Sequence, residues 1–192
     1  MITDLSIPLV LKLVPKTSKT RYIGGYCALN LHPVPEDTSG DWHPADYLCC
    51  RADQPTLELG VFGEEAGPNR NTNHIFGDYG IIESAEDFKK WGYSPVYTEV
   101  YRSNHFRAIL DMLYIDLMTR PIAGPPPMPY SEQGATFDFL DTEEQKRELL
   151  DKALLIGPHL PPERRPFLDE WIAREEIYEE QRYKSICAVG SS

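Results

Sequence analysis

The chain has 192 residues, of which 41% are hydrophobic and 26% are charged, as is usual for a folded domain. Its net charge of −11 repels nucleic-acid phosphate, so we expect no nucleic-acid ligand. No apolar run approaches the roughly 20 residues that span a bilayer. The N-terminus contains Asp4 and no basic cluster, unlike a signal peptide. We therefore expect a cytoplasmic protein with no membrane partner.

The negative charge is spread unevenly along the chain. Residues 1–35 carry four basic side chains and one acidic one, whereas residues 36–100 carry thirteen acidic and four basic side chains. Such a region attracts a basic protein surface and speeds the encounter at low salt. The same acidity is also compatible with a role in solubility alone. A basic protein partner is therefore one prediction, and simple solubility is the alternative.

Residues 1–100 carry mainly strand signals, which are runs of β-branched and aliphatic residues broken by turn residues. The Gly24-Gly25 pair inside one run predicts a bulge or a close backbone approach. A short helix is predicted over residues 84–91, and a turn over residues 77–80 interrupts one of the strands. The predicted strands are residues 5–14, 21–31, 56–62, 74–83 and 96–101.

Residues 103–120 predict a central buried helix. Their apolar side chains recur at helical spacing, Ser103 is a suitable N-cap, and Pro121 ends the helix. Arg107 and Asp111 lie four residues apart, so we expect a surface or half-buried ion pair. The residues on the apolar face are Phe106, Ile109, Leu110, Leu113 and Leu117.

Beyond this helix the sequence divides into a proline-rich linker and a helical segment. Thr142 and Gln145 form a capping box that predicts a helix to about residue 156, and a second helix is predicted from residue 165 or 166 to about residue 184. We therefore predict an α+β protein in which a mostly antiparallel sheet packs on the central helix, with a helical C-terminal piece. The predicted parts are an α+β core domain over residues 1–120, a proline-rich linker over residues 121–141 and a helical C-terminal segment over residues 142–192.

The long loop over residues 32–47 carries the densest group of candidate site residues. Its aromatic and ionisable side chains predict a binding site, because long loops in compact domains are often functional. A structural role is the alternative, with Asp41 accepting backbone N–H groups and Trp42 packed inward. The candidate binding residues are Asp41, Trp42, His43, Asp46 and Tyr47.

The same loop supports a second hypothesis, a metal-dependent hydrolase. Asp41, His43 and Asp46 supply oxygen and nitrogen ligands, to which His74 and Asp78 can add two more. Such a site needs several ligands around one ion and an open position for water. Metal analysis of protein purified without chelator separates this hypothesis from a binding role.

The sequence favours a non-enzymatic role without a cofactor. It contains no G-x-S-x-G, phosphate-binding loop or dinucleotide-binding motif. The four cysteines lack C-x-x-C spacing and are expected to be reduced thiols, and His105 is a weak candidate for a general base.

Residues 107–114, RAILDMLY, resemble the helical R-A-x-L-D-x-L-Y segment of AbiEi-type antitoxins. Those proteins accompany nucleotidyltransferase toxins in bacterial operons. The resemblance implies a neutralising partner in a bacterial toxin–antitoxin or defence pair. The winged-helix DNA-binding region of that family has no counterpart in the strands predicted here, so the resemblance does not extend to DNA binding.

Overall fold

The computed structural model describes residues 14–29, 31, 60–90, 97–125 and 142–175, and it has an α+β fold as predicted. The strands are β1 (Arg21–Ile23), β2 (Val61–Gly63), β3 (Ile81–Glu83) and β4 (Tyr101–Ser103). The α-helices are α1 (Gly25–Leu29), α2 (Asn73–Phe76), α3 (Ala85–Lys90), α4 (His105–Thr119), α5 (Glu143–Leu154) and α6 (residues 165–175). Short 3₁₀ helices cover Pro68–Arg70, Gly157–His159 and Pro162–Arg164.

The four described strands form one mixed sheet in the order β2-β1-β4-β3. The β1–β2 and β3–β4 pairs are antiparallel, whereas β1 and β4 run parallel with Ile23 opposite Arg102. Successive side chains of β1 point to opposite faces, as the pleat requires. The Tyr22 hydroxyl reaches α4, while Ile23 belongs to a second apolar cluster with residues of α1 and α3.

The predicted strand over residues 21–31 is wrong beyond Ile23, because the chain turns at Gly24-Gly25 and enters α1. The ring of Phe62 lies against both glycines. A Cβ on Gly24 would lie 2.8 Å from Phe62 Cδ2, and one on Gly25 would lie 2.6 Å from Cζ. Gly25 also has a φ of 55°, which other residues rarely adopt. The close approach predicted at this pair is present, and it is the side chain of Phe62 that approaches the glycine backbone.

The predicted strand over residues 74–83 is wrong in its first half. Residues 73–76 form α2, and only Ile81–Glu83 are extended. The predicted turn between them is present, with Gly77 and Gly80 at positive φ. Burial of Phe76 fixes the short helix against α4, so tertiary contacts override the β-branched pattern of this run.

The predicted N-cap of α4 is displaced by one residue. Ser103 is the last residue of β4, and Asn104 caps the helix instead, its Oδ1 accepting the N–H of Arg107 at 2.9 Å. Nine of the fifteen side chains of α4 are buried. They include four of the five residues on the predicted apolar face, while Phe106 is partly buried.

The C-terminal helices pack on the same apolar cluster as α4. The predicted capping box is present, since the side chains of Thr142 and Gln145 each accept the other's backbone N–H. Arg164 also donates hydrogen bonds to the carbonyls of Leu117 and Arg120, which ties this part of the chain to the end of α4. None of the helices in the described ranges is both long and apolar enough to cross a bilayer. The residues that join the α4 cluster are Leu149, Ala153, Ile156, Leu160, Leu168 and Trp171.

Candidate functional site

The five residues of the predicted binding loop lie outside the described residues, so the binding site and the metal site that uses it stay predictions. Those residues are Asp41, Trp42, His43, Asp46 and Tyr47. His74 and Asp78, the two further ligands of the metal hypothesis, are both exposed, on α2 and on the turn that follows it. The structure therefore tests the surroundings of these two residues only.

A buried ion pair lies at the centre of the described fold. Arg107 Nε donates to Asp111 Oδ1 at 2.9 Å, and both side chains are completely buried. The predicted pairing is present, but the surface or half-buried position expected for it is wrong. A buried ion pair is tolerated only when its remaining polar atoms are also satisfied.

Every N–H group of the Arg107 guanidinium has an acceptor. Nη1 donates to the carbonyls of Gly77 and Tyr79, both at 3.1 Å. Nη2 donates to Thr72 Oγ1 and Asn73 Oδ1, both at 3.0 Å. With the bond from Nε, these contacts use all five donors of the side chain. No donor remains to bind a substrate.

Asp111 also accepts hydrogen bonds from β1 and from the residue that precedes α2. Tyr22 donates its hydroxyl to Asp111 Oδ2 at 3.0 Å, and the Thr72 hydroxyl donates to Oδ1. Complete burial raises the pKa of Asp111, against the opposing effects of Arg107, Thr72 and Tyr22. Burial likewise raises the pKa of Tyr22, which keeps its phenol protonated as a donor. In each of these contacts Asp111 accepts, as an ionised carboxylate does.

Two aromatic rings also lie against the Arg107 guanidinium. The guanidinium carbon of Arg107 lies 5.2 Å from the ring centre of Tyr22 and 5.0 Å from that of Phe76, within cation–π range. We refer to Tyr22, Thr72, Asn73, Arg107 and Asp111 as the Arg107 cluster. Because its side chains are occupied by one another and by the carbonyls of Gly77 and Tyr79, the cluster acts as a structural anchor that fixes residues 72–80 to α4.

His105 does not have the surroundings of a general base. Its side chain is buried at the start of α4, and its Nε2 donates to the carbonyl of Leu31 at 2.9 Å. A general base must reach the proton that it abstracts from a substrate. The contact instead fixes the chain after α1 to α4.

Sequence reasoning missed the pairing of His74 with His159. The two ring centres are 5.0 Å apart, and the Tyr114 ring lies 6.0 Å from that of His74. His159 follows Pro158, so the sequence around it indicates only a loop. No sequence pattern connects it to His74, because the two come together through the packing of the C-terminal helices.

No protein-family model, curated protein or solved structure is significantly similar to the chain. The resemblance to AbiEi-type antitoxins therefore stays a prediction. All six residues that carry it are interior residues of α4, and two of them are Arg107 and Asp111.

Proposed function

We propose that the chain is a cytoplasmic protein-binding module that takes a basic partner protein on the acidic surface along β3. The observation that carries this proposal is the grouping of exposed apolar and acidic side chains at one side of the sheet. We call this surface the β3 edge. It consists of Ile82, Glu83, Glu86, Tyr97 and Glu99.

The apolar part of the β3 edge is exposed at the outermost of the described strands. Ile82 is 38% exposed and Tyr97 is 42% exposed. An outer strand presents backbone N–H and C=O groups as well as side chains, which suits it to pairing with another chain. Protein interfaces combine apolar side chains with polar and charged ones, as this surface does.

The acidic part of the β3 edge consists of Glu83, Glu86 and Glu99, which are all exposed. Glu83 Oε1 accepts the backbone N–H of Ala85 at 2.9 Å, which fixes its position. Desolvation, followed by the carboxylates of Glu99 and Glu83, raises the pKa of Tyr101, and both carboxylates belong to exposed residues. Glu86 pairs with Lys89 on the same helix. The carboxylates of Glu83 and Glu99 are therefore well placed to meet a basic side chain.

The charge of the rest of the chain supports the same partner. The described residues contain seventeen acidic and fifteen basic side chains, a balance of −2 out of the total of −11. Residues 36–59 alone contribute six acidic side chains against one basic one. A neutralising partner in a bacterial toxin–antitoxin or defence pair would be a module of this kind. The saturated Arg107 cluster supports a non-catalytic role.

A pair of charge-reversed variants tests the proposal. In Glu86→Lys/Glu99→Lys the β3 edge becomes basic, while Glu83 keeps its contact with Ala85. We expect the partner captured from the native lysate to be lost by this variant, because like charges across an interface repel. Quantitative mass spectrometry of the captured proteins at rising salt provides the measurement, and wild-type capture should weaken as salt screens the interaction.

The matched control is Asp151→Lys/Glu170→Lys, which makes the same change of charge at exposed positions on α5 and α6. It should capture the partner as the wild type does. Equal loss in both variants would show that overall charge decides binding. Equal retention in both would place the interface elsewhere and contradict the proposal.

A further inference from the structure

His74 and His159 come from distant parts of the chain and lie next to each other on the surface. Both side chains are exposed, their ring centres are 5.0 Å apart, and their ring planes are inclined by 75°. We propose that this pair is a two-histidine site for a borderline divalent transition-metal ion, of which Zn²⁺ and Cu²⁺ are the representatives. The site is independent of the β3 edge and of the binding role proposed for it.

The separation of the rings suits a shared ion. A metal–nitrogen bond of about 2.0–2.1 Å places the ion about 3.2 Å from the ring centre. Two such rings are then about 5.2 Å apart at a tetrahedral angle and about 4.5 Å apart at a right angle. The observed 5.0 Å lies between these values. The rings meet edge to face, so rotation about the side-chain bonds brings one nitrogen of each ring to a common ion.

The backbone of both histidines is held firmly. His74 lies in α2 between Asn73, which accepts from Arg107, and the buried Phe76. His159 donates its backbone N–H to Ile156 at 2.9 Å and precedes the buried Leu160. Because the backbone of both ligands is already fixed, less conformational entropy is lost when an ion binds.

Water would fill the other coordination positions of an ion held by the two histidines. The neighbouring Tyr114 is buried against the core of α4, so its ring shields one side of His74. Among the described residues, no three His, Cys, Asp or Glu side chains are grouped closely enough to hold an ion together. Two imidazoles and water favour Cu²⁺ over Zn²⁺ and discriminate against Mg²⁺ and Ca²⁺, which prefer oxygen ligands.

Metal titration of the untagged protein tests the site. We expect Zn²⁺ and Cu²⁺ to bind with one-to-one stoichiometry in calorimetry and to raise the melting temperature, since an ion that binds only the folded state stabilises it. His74→Ala and His159→Ala should each weaken binding at least about tenfold, because even outer-shell partners of metal ligands contribute that much. The electron paramagnetic resonance spectrum of the Cu²⁺ complex should show two imidazole nitrogens.

Asp169→Ala, at an exposed position on α6, is the control and should bind the ion as the wild type does. Unchanged affinity in either His74→Ala or His159→Ala would overturn the proposal, as would a loss in Asp169→Ala equal to that in His74→Ala. Circular dichroism of each variant confirms folding, which exposed positions should preserve.

Discussion

Replacing Arg107 with methionine is expected to lower the free energy of unfolding by about 3–5 kcal/mol, the usual cost of removing one partner of a buried ion pair. The substitution leaves the buried carboxylate of Asp111 without its cation. It also removes the donors to the carbonyls of Gly77 and Tyr79, two part-buried hydrogen bonds. Urea denaturation followed by circular dichroism measures the change.

A second ion pair on the same helix provides a matched control. Asp116 and Arg120 also lie four residues apart, with Arg120 Nη2 donating to Asp116 Oδ2 at 2.5 Å, but their side chains are 39% and 23% exposed. Asp116→Ala should cost no more than about 0.5 kcal/mol, because solvent screens such pairs. An Arg107→Met variant that lost no more than this control would show that the Arg107 cluster is not an anchor.

Replacing Trp171 with alanine is expected to cost about 3–5 kcal/mol, the range observed for the loss of a buried aromatic side chain. Trp171 lies on α6, is 1% exposed, and shares one apolar cluster with Leu110 and Leu113 of α4. Because the C-terminal helices and α4 share a core, the protein should still unfold in a single transition. Calorimetry measures both the midpoint and the number of transitions.

Asp169→Ala, at an exposed position on the same helix, should change the stability by less than about 0.5 kcal/mol. Two separate transitions in Trp171→Ala, of which only one is shifted, would contradict a shared core. Such a result would instead show that the C-terminal helices form an independently folding unit.

The features that sequence predicted well are those set by neighbouring residues. The spacing of Ile109, Leu113 and Leu117 predicts α4, and its end before Pro121 is also observed. Thr142 and Gln145 predict the start of α5, since a capping box joins residues only three apart. These signals are local, so they need no knowledge of the rest of the fold.

The features that sequence missed are set by residues far along the chain. Phe62 occupies the space beside Gly24-Gly25, where the chain turns into α1. The glycine pair indicates a close approach, but nothing in residues 21–31 shows that Phe62 makes it or that a helix follows. The strand signal of residues 74–83 is likewise overridden, because Phe76 packs on α4 and forces a short helix. In both places a long-range contact outweighs local propensity.

The Arg107 cluster was only partly predictable for the same reason. The spacing of Arg107 and Asp111 indicates their pairing, but their burial depends on Tyr22 and Thr72, which come from other segments. Likewise, His74 gives no sign that His159 is its neighbour. The candidate loop over residues 32–47 lies outside the described residues and stays a prediction.

Hydrogen exchange of an Arg107→Lys variant tests most directly whether the Arg107 cluster anchors residues 72–80 to α4. Lysine keeps the positive charge beside Asp111 but lacks the planar five-donor guanidinium, so it cannot hold Thr72, Asn73 and the two carbonyls at once. We expect the amides of Phe76, Gly77 and Tyr79 to exchange at least about tenfold faster, equivalent to about 1.4 kcal/mol, while amides inside α4 change little. Equal changes in both regions, or no change in residues 72–80, would contradict the anchor.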